Sequence, residues 1–100
     1  VTAAERKARF DALSRIGCVV CRVFHGVHTQ PQIHHLLGTK YRAIGKKADD
    51  AHTIPLCVWH HTGGHPDIDS AHGQPKAFAQ LYGTQEELLE MTNKMIEAAK

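Results

Sequence analysis

One hundred residues, 42% hydrophobic but with only six aromatic side chains, allow one small domain with a thin apolar core, near the size at which a chain needs an added staple. Three cysteines cannot all pair within the chain, which argues against a disulfide framework and for a reducing compartment; without a long apolar run or a signal-peptide pattern, a cytosolic protein with no membrane partner is expected. A net charge of +2 is too small to name a partner, and the compositional anomaly is the nine histidines.

In chain order, "TAAE" opens the first element. Thr2 can cap a helix with Glu5 at the reciprocal capping-box position, Ala8, Phe10, Leu13 and Ile16 form a rough apolar stripe, and Gly17 is placed to end it. Arg6, Lys7, Arg9, Arg15 and Arg22 make this beginning basic. "CVVC" follows, then a loop through Pro31. "IHHLL" and "HTIPL" read as two short strands joined by an exposed basic connection from Gly38 to Asp50. "CVWHH" begins a helix or tight turn, and "TGGHPDIDSAHG" is loop. "PKAFAQLY" has Pro75 at a helix start and Gly83 past its end. The last helix carries a second capping box, Thr84 with Glu87, and a stripe of Leu88, Leu89, Thr92, Met95 and Ile96. The pattern predicts an α+β domain with little sheet.

Cys18 and Cys21 form a C-x-x-C pair, and Cys57 and His60 a matching C-x-x-H pair. Two such pairs separated by a few tens of residues are the usual sequence form of a structural zinc site, because a tight turn between ligands aims both side chains at one point. Zinc would supply the staple that the core lacks. The bland alternative is three buried free cysteines and an unrelated histidine.

With His60 assigned to zinc, His61 points elsewhere, and the "HH" at 34 and 35 lies on a strand whose successive side chains face opposite sides. The order "HH", basic loop, "C-x-x-H-H" resembles the HNH endonucleases. More narrowly, "IHHLLG", "HTIPLCVWHH" and "AFAQLYGTQEELLEMTNKMI" resemble the Ref-type, RecA-dependent recombination-enhancement nucleases of temperate phage and prophage, over roughly residues 17–96.

The resemblance implies a zinc-stabilised HNH (ββα-metal) domain over residues 1–100. Its parts would be a basic N-terminal helix at 1–16, the zinc knuckle and metal core at 17–66, and C-terminal helices at 75–100. It implies His35 as general base, His34 and His61 as ligands of a catalytic divalent ion, and His52 in the middle position that orients the base. His65 would stand where some members place a further histidine of the metal site. The implied activity is metal-dependent hydrolysis of DNA phosphodiesters by a monomer in the bacterial host cytoplasm, with a RecA filament on single-stranded DNA as a partner.

The chemistry agrees with these residue types. A neutral imidazole can activate water, and a divalent ion can stabilise the phosphorane and the leaving oxygen. A histidine-built site takes Mg²⁺ or Mn²⁺ and equally Zn²⁺ or Ni²⁺. Lys40, Arg42, Lys46 and Lys47, between the two strands, are candidates for phosphate contacts that position DNA without reading its sequence.

Each feature also has a duller reading. His25, His28 and His72 read as solvated loop residues, His52 as a turn cap or carbonyl partner, and Trp59 as a core residue under the knuckle. The alternative function is a zinc-knuckle module that binds nucleic acid without cleaving it. A metal-storing or toxin–antitoxin-like accessory protein is a third.

Overall fold

Thr2 caps the first helix as its sequence requires. Its side chain accepts the Glu5 amide, the Glu5 carboxylate accepts the Thr2 amide, and α1 runs Ala3–Ile16. In this computed structural model the residues described are 2–37 and 49–100. Lys40, Arg42, Lys46 and Lys47 therefore lie outside the described residues.

Only the last turns of α1 reach the core: Ala12, Leu13 and Ile16 are buried, whereas Ala8 is exposed and Phe10 half-buried, so the expected stripe holds at its C-terminal end alone. Arg9 counts in the sequence as surface charge but works as a tie. Its guanidinium donates to the Thr53 hydroxyl at 2.9 Å, to the Thr53 carbonyl at 2.6 Å and to Asn93 Oδ1 at 2.9 Å. Three elements are thereby joined through one side chain.

Gly17 ends α1 with φ 76°, a conformation that disfavours any side chain. A Cβ there would also lie 2.7 Å from the His28 ring, so the chain turns sharply against the loop it faces. The knuckle follows: Cys21–His25 form a π-helical turn closed by left-handed Gly26.

Strand β1, Gln32–His35, pairs antiparallel with β2, Thr53–Leu56, with His34 opposite Ile54 and His35 opposite Thr53. Each strand of a two-stranded sheet is an edge, so Pro55 is tolerated within β2. Gln32 and His34 share one face of the ribbon, and Ile33 and His35 the other.

Helix α2 is one turn, Val58–His61, with Cys57 at its N-cap. Helix α3 is Pro75–Tyr82, with proline in its first turn, and α4 is Gln85–Ala98, entered through the Thr84–Glu87 capping box. The core gathers Val19, Val20, Leu36, Ile54, Leu56 and Leu88 around the knuckle and the ribbon, with Phe78 from α3 against them.

The result is α+β, with one small antiparallel sheet and helices around it. Among the described residues no helix is long and apolar enough to cross a membrane. Trp59 corrects its expected place: it is 43% exposed, because residues 57 and 60 of the short turn point inward and leave 58 and 59 outside.

Candidate metal centre

The first cluster is built by two tight turns that meet. Cys18 and Cys21 flank the start of the knuckle, where the Cys21 amide donates to the Cys18 sulfur at 3.5 Å. Cys57 and His60 flank the first turn of α2. His60 Nδ1 lies 3.2 Å from Cys57 Sγ, 3.6 Å from Cys21 Sγ and 3.7 Å from Cys18 Sγ, and the Cys21 and Cys57 sulfurs are 3.9 Å apart. A tetrahedral zinc with bonds of about 2.3 Å to sulfur and about 2.0 Å to nitrogen separates its sulfurs by roughly 3.8 Å, and sulfur from nitrogen by roughly 3.5 Å. These four separations lie within a few tenths of an ångström of those edges, and all four side chains are buried. This Cys₃His cluster could hold a metal such as zinc.

Its electrostatics fit a cation. Burial pushes the Cys18 thiol up to about 12, with the Cys57 and Cys21 thiols adding to the rise, against backbone hydrogen bonds from Cys21 and Cys57 that lower it. Burial also raises the Cys21 thiol and lowers His60. Three buried thiols and a neutral imidazole become good ligands when a positive ion offsets the thiolate charge.

The second cluster lies on the Gln32/His34 face of the ribbon. One ring nitrogen from each of His34, His61 and His72 lies within 4.8 Å of the others. Ring centroids are 5.1 Å apart for His34–His61, 5.1 Å for His34–His72 and 4.9 Å for His61–His72. His34 and His61 thus meet where the sequence expected a shared site, and His72, expected to be a solvated loop residue, joins them.

The reason is a backbone strap. The Ala71 amide donates to the His60 carbonyl at 2.8 Å and the His72 amide to the His61 carbonyl at 3.1 Å, laying the loop along α2. Buried Ser70 fixes the strap: its hydroxyl accepts the Gly73 amide at 2.8 Å, and a Cβ on Gly73 would come within 2.6 Å of that hydroxyl.

Burial lowers His34 to about 4, with the charges of His61, His72 and His35 lowering it further. His61 is lowered by burial, then by His72 and His35. Both rings are therefore neutral near pH 7, the form that binds a metal. His34 Nδ1 is buried without a hydrogen-bond partner, an orphan polar atom of the kind an ion would satisfy.

The remaining expected site residues are placed as follows. His35, last in β1, is half-buried with Nε2 2.9 Å from Asp50 Oδ1. His52, expected in the middle position, directs Nδ1 to Asp49 Oδ1 at 2.8 Å while its carbonyl accepts the Leu36 amide. The carboxylate that reaches His35 comes from Asp50, two residues earlier.

His65 stands apart from the imidazole cluster. Its Nδ1 accepts the Asp67 amide at 3.1 Å and its ring meets Trp59 edge-on, because α2 ends at His61 and Gly63 and Gly64 then take positive φ. Sequence reasoning missed His72, Asp50, Gln32 and Gln85. Gln32 Oε1 lies 2.8 Å from His61 Nδ1, and Gln85 Oε1 lies 3.2 Å from His34 Nε2.

A family profile described as "Recombination enhancement, RecA-dependent nuclease" matches residues 2–97. No curated protein matches the chain.

Proposed function

Because the chain belongs to the family of recombination-enhancement, RecA-dependent nucleases, we propose that it is a metal-dependent DNA endonuclease of the HNH (ββα-metal) type. One observation carries the reading: His34 from β1 and His61 from α2 share an imidazole cluster, and His35 is the next residue after His34 on β1. An antiparallel hairpin followed directly by a short helix, with a cation site between them, is the arrangement an HNH site needs.

In this reading Cys18, Cys21, Cys57 and His60 hold a structural zinc that ties the knuckle to the start of α2. His34, His61 and His72 hold the catalytic ion, with His72 in the place considered for His65. A divalent ion there, Mg²⁺ or Mn²⁺ and in competition Zn²⁺ or Ni²⁺, supplies positive charge against that developing on the phosphate and the leaving oxygen.

His35 is the general base. A carboxylate only accepts hydrogen bonds, so His35 Nε2–H donates to Asp50 Oδ1 and the lone pair is left on Nδ1. Nδ1 then removes the proton from the attacking water. Asp50 takes over the orienting role first considered for His52. Lys40, Arg42, Lys46 and Lys47, in the connection between the strands, contact DNA phosphates.

The test is plasmid nicking across these ions, with and without a RecA filament on single-stranded DNA. His35→Ala, folded and zinc-loaded, should bind DNA but lose cleavage by roughly two to four orders of magnitude. Cleavage at the parental rate under every ion would remove His35 from the role. A parent protein that binds DNA and never cuts it, filament supplied, would favour the non-catalytic zinc-knuckle module.

A further inference from the structure

Gln85, the first residue of α4, reaches across to the end of β1 and makes three contacts there. The Leu37 amide donates to its Oε1 at 2.7 Å, its Nε2 donates to the Leu37 carbonyl at 3.0 Å, and its Oε1 lies 3.2 Å from His34 Nε2. The two backbone contacts identify the ends of the amide. Only oxygen can accept from the Leu37 N–H, and only nitrogen can donate to the Leu37 carbonyl. The atom facing the ring is therefore an acceptor, and His34 must carry its proton on Nε2. That leaves the lone pair on Nδ1, the buried nitrogen with no partner.

We propose that Gln85 is a positioning residue of the imidazole cluster: it selects the Nε2–H tautomer of His34 and so makes Nδ1 the atom that coordinates the ion. This rests on the proposed metal site but not on nuclease activity. The ring's own preference for Nε2–H is modest, so a ring without a partner populates both tautomers, and the wrong one would present an N–H to the cation. The same logic applies to His61, whose Nδ1 faces Gln32 Oε1. Gln32 is exposed, however, whereas Gln85 is held at both ends by Leu37. The clamp also makes the start of α4 part of the metal site: Thr84 and Glu87 fix the helix entry, and through it the position of Gln85.

The tautomer is read from long-range ¹H–¹⁵N correlations of the His34 ring in zinc-loaded protein with the imidazole cluster free of added ion. Wild-type protein should show Nε2–H. Gln85→Met, similar in length but without an acceptor, should show the other tautomer or a mixture. It should also bind Mn²⁺, followed by loss of the free-ion electron paramagnetic resonance signal, roughly 10–100-fold more weakly. Gln85→Glu, which keeps the acceptor, should restore both readouts.

Should Gln85→Met not fold, Gln85→Asn, too short to reach the ring, replaces it. An Nδ1–H ring in wild-type protein, an unchanged tautomer in the variant, or unchanged Mn²⁺ affinity despite a changed tautomer would each overturn the proposal. None of these readouts requires cleavage, so a protein that fails to cut DNA still decides it.

Discussion

His35 and Asp50 meet at 2.9 Å, joining the last residue of β1 to the turn that precedes β2. The turn is itself anchored, because the Thr53 hydroxyl donates to the Asp50 carbonyl at 2.9 Å while accepting from Arg9. A chain of contacts thus runs from α1 through Thr53 to Asp50 and on to His35. Asp50→Ala frees the His35 ring to rotate without disturbing the imidazole cluster. Nicking should fall by about a hundredfold, the scale of a misplaced catalytic group, while Mn²⁺ affinity holds. Equal losses in both would mean that Asp50 supports the fold rather than the base.

Metal removal should have a different signature. The Cys₃His cluster joins the knuckle to α2, and its three thiols and one imidazole form much of the buried centre of a small core. Without a cation the bonds that tie the knuckle to α2 are lost, and the binding free energy that couples the metal to folding is lost with them. A strong chelator should therefore cause loss of helical circular dichroism and of cooperative thermal unfolding. Cys57→Ser should do the same without chelator. Elemental analysis of folded protein should find zinc, and a folded, metal-free protein would contradict the assignment.

How much of this could be read in the sequence depends on distance along the chain. The two capping boxes, Thr2 with Glu5 and Thr84 with Glu87, are local patterns, and both form as written. Cys18 with Cys21 and Cys57 with His60 are also local pairs, so each turn was legible and only their meeting needed the fold. His72 was hidden because it reaches the cluster through backbone bonds to His60 and His61, which no side-chain pattern encodes. Gln85 looked like an ordinary first-turn helix residue; its role depends on Leu37, 48 positions away. Trp59 misled in the other direction: its size suggests burial, but a one-turn helix whose inward positions belong to metal-ligand types has no inward place for it.

Acid should weaken the fold through the buried imidazoles. His34 has an ordinary value of 6.5 and is lowered to about 4 in the folded chain, chiefly by burial. Between those values the unfolded chain binds the proton and the folded chain does not, so stability falls as pH drops and the loss is complete only below about 4. For His34 alone the effect is about 3 kcal/mol across that window. His60 and His61 are moved in the same direction, again mainly by burial. Denaturant unfolding at a series of pH values between 7 and 4 should show this slope, and His34→Gln should make it shallower. A variant with the wild-type slope would exclude His34 as a source.

The strap that carries His72 gives the last expectation. Gly73 packs against the Ser70 hydroxyl so closely that a Cβ would lie 2.6 Å from it, and a Cβ on Gly63 would lie 2.9 Å from the same hydroxyl. Gly73→Ala must push Ser70 away, and with it the strand of backbone that holds His72 against His61. His72→Ala removes the ring without moving the strap. Both variants should keep zinc in the Cys₃His cluster, since neither alters Cys18, Cys21, Cys57 or His60. Both should weaken Mn²⁺ binding at the imidazole cluster by a similar factor, roughly tenfold or more for an ion that loses one of three ligands. His65→Ala serves as the contrast: its ring rests on Trp59 and its Nδ1 on the Asp67 amide, so Mn²⁺ affinity should stay near the parental value. If His65→Ala weakens the ion and His72→Ala does not, the third ligand is His65 and the strap serves the fold alone.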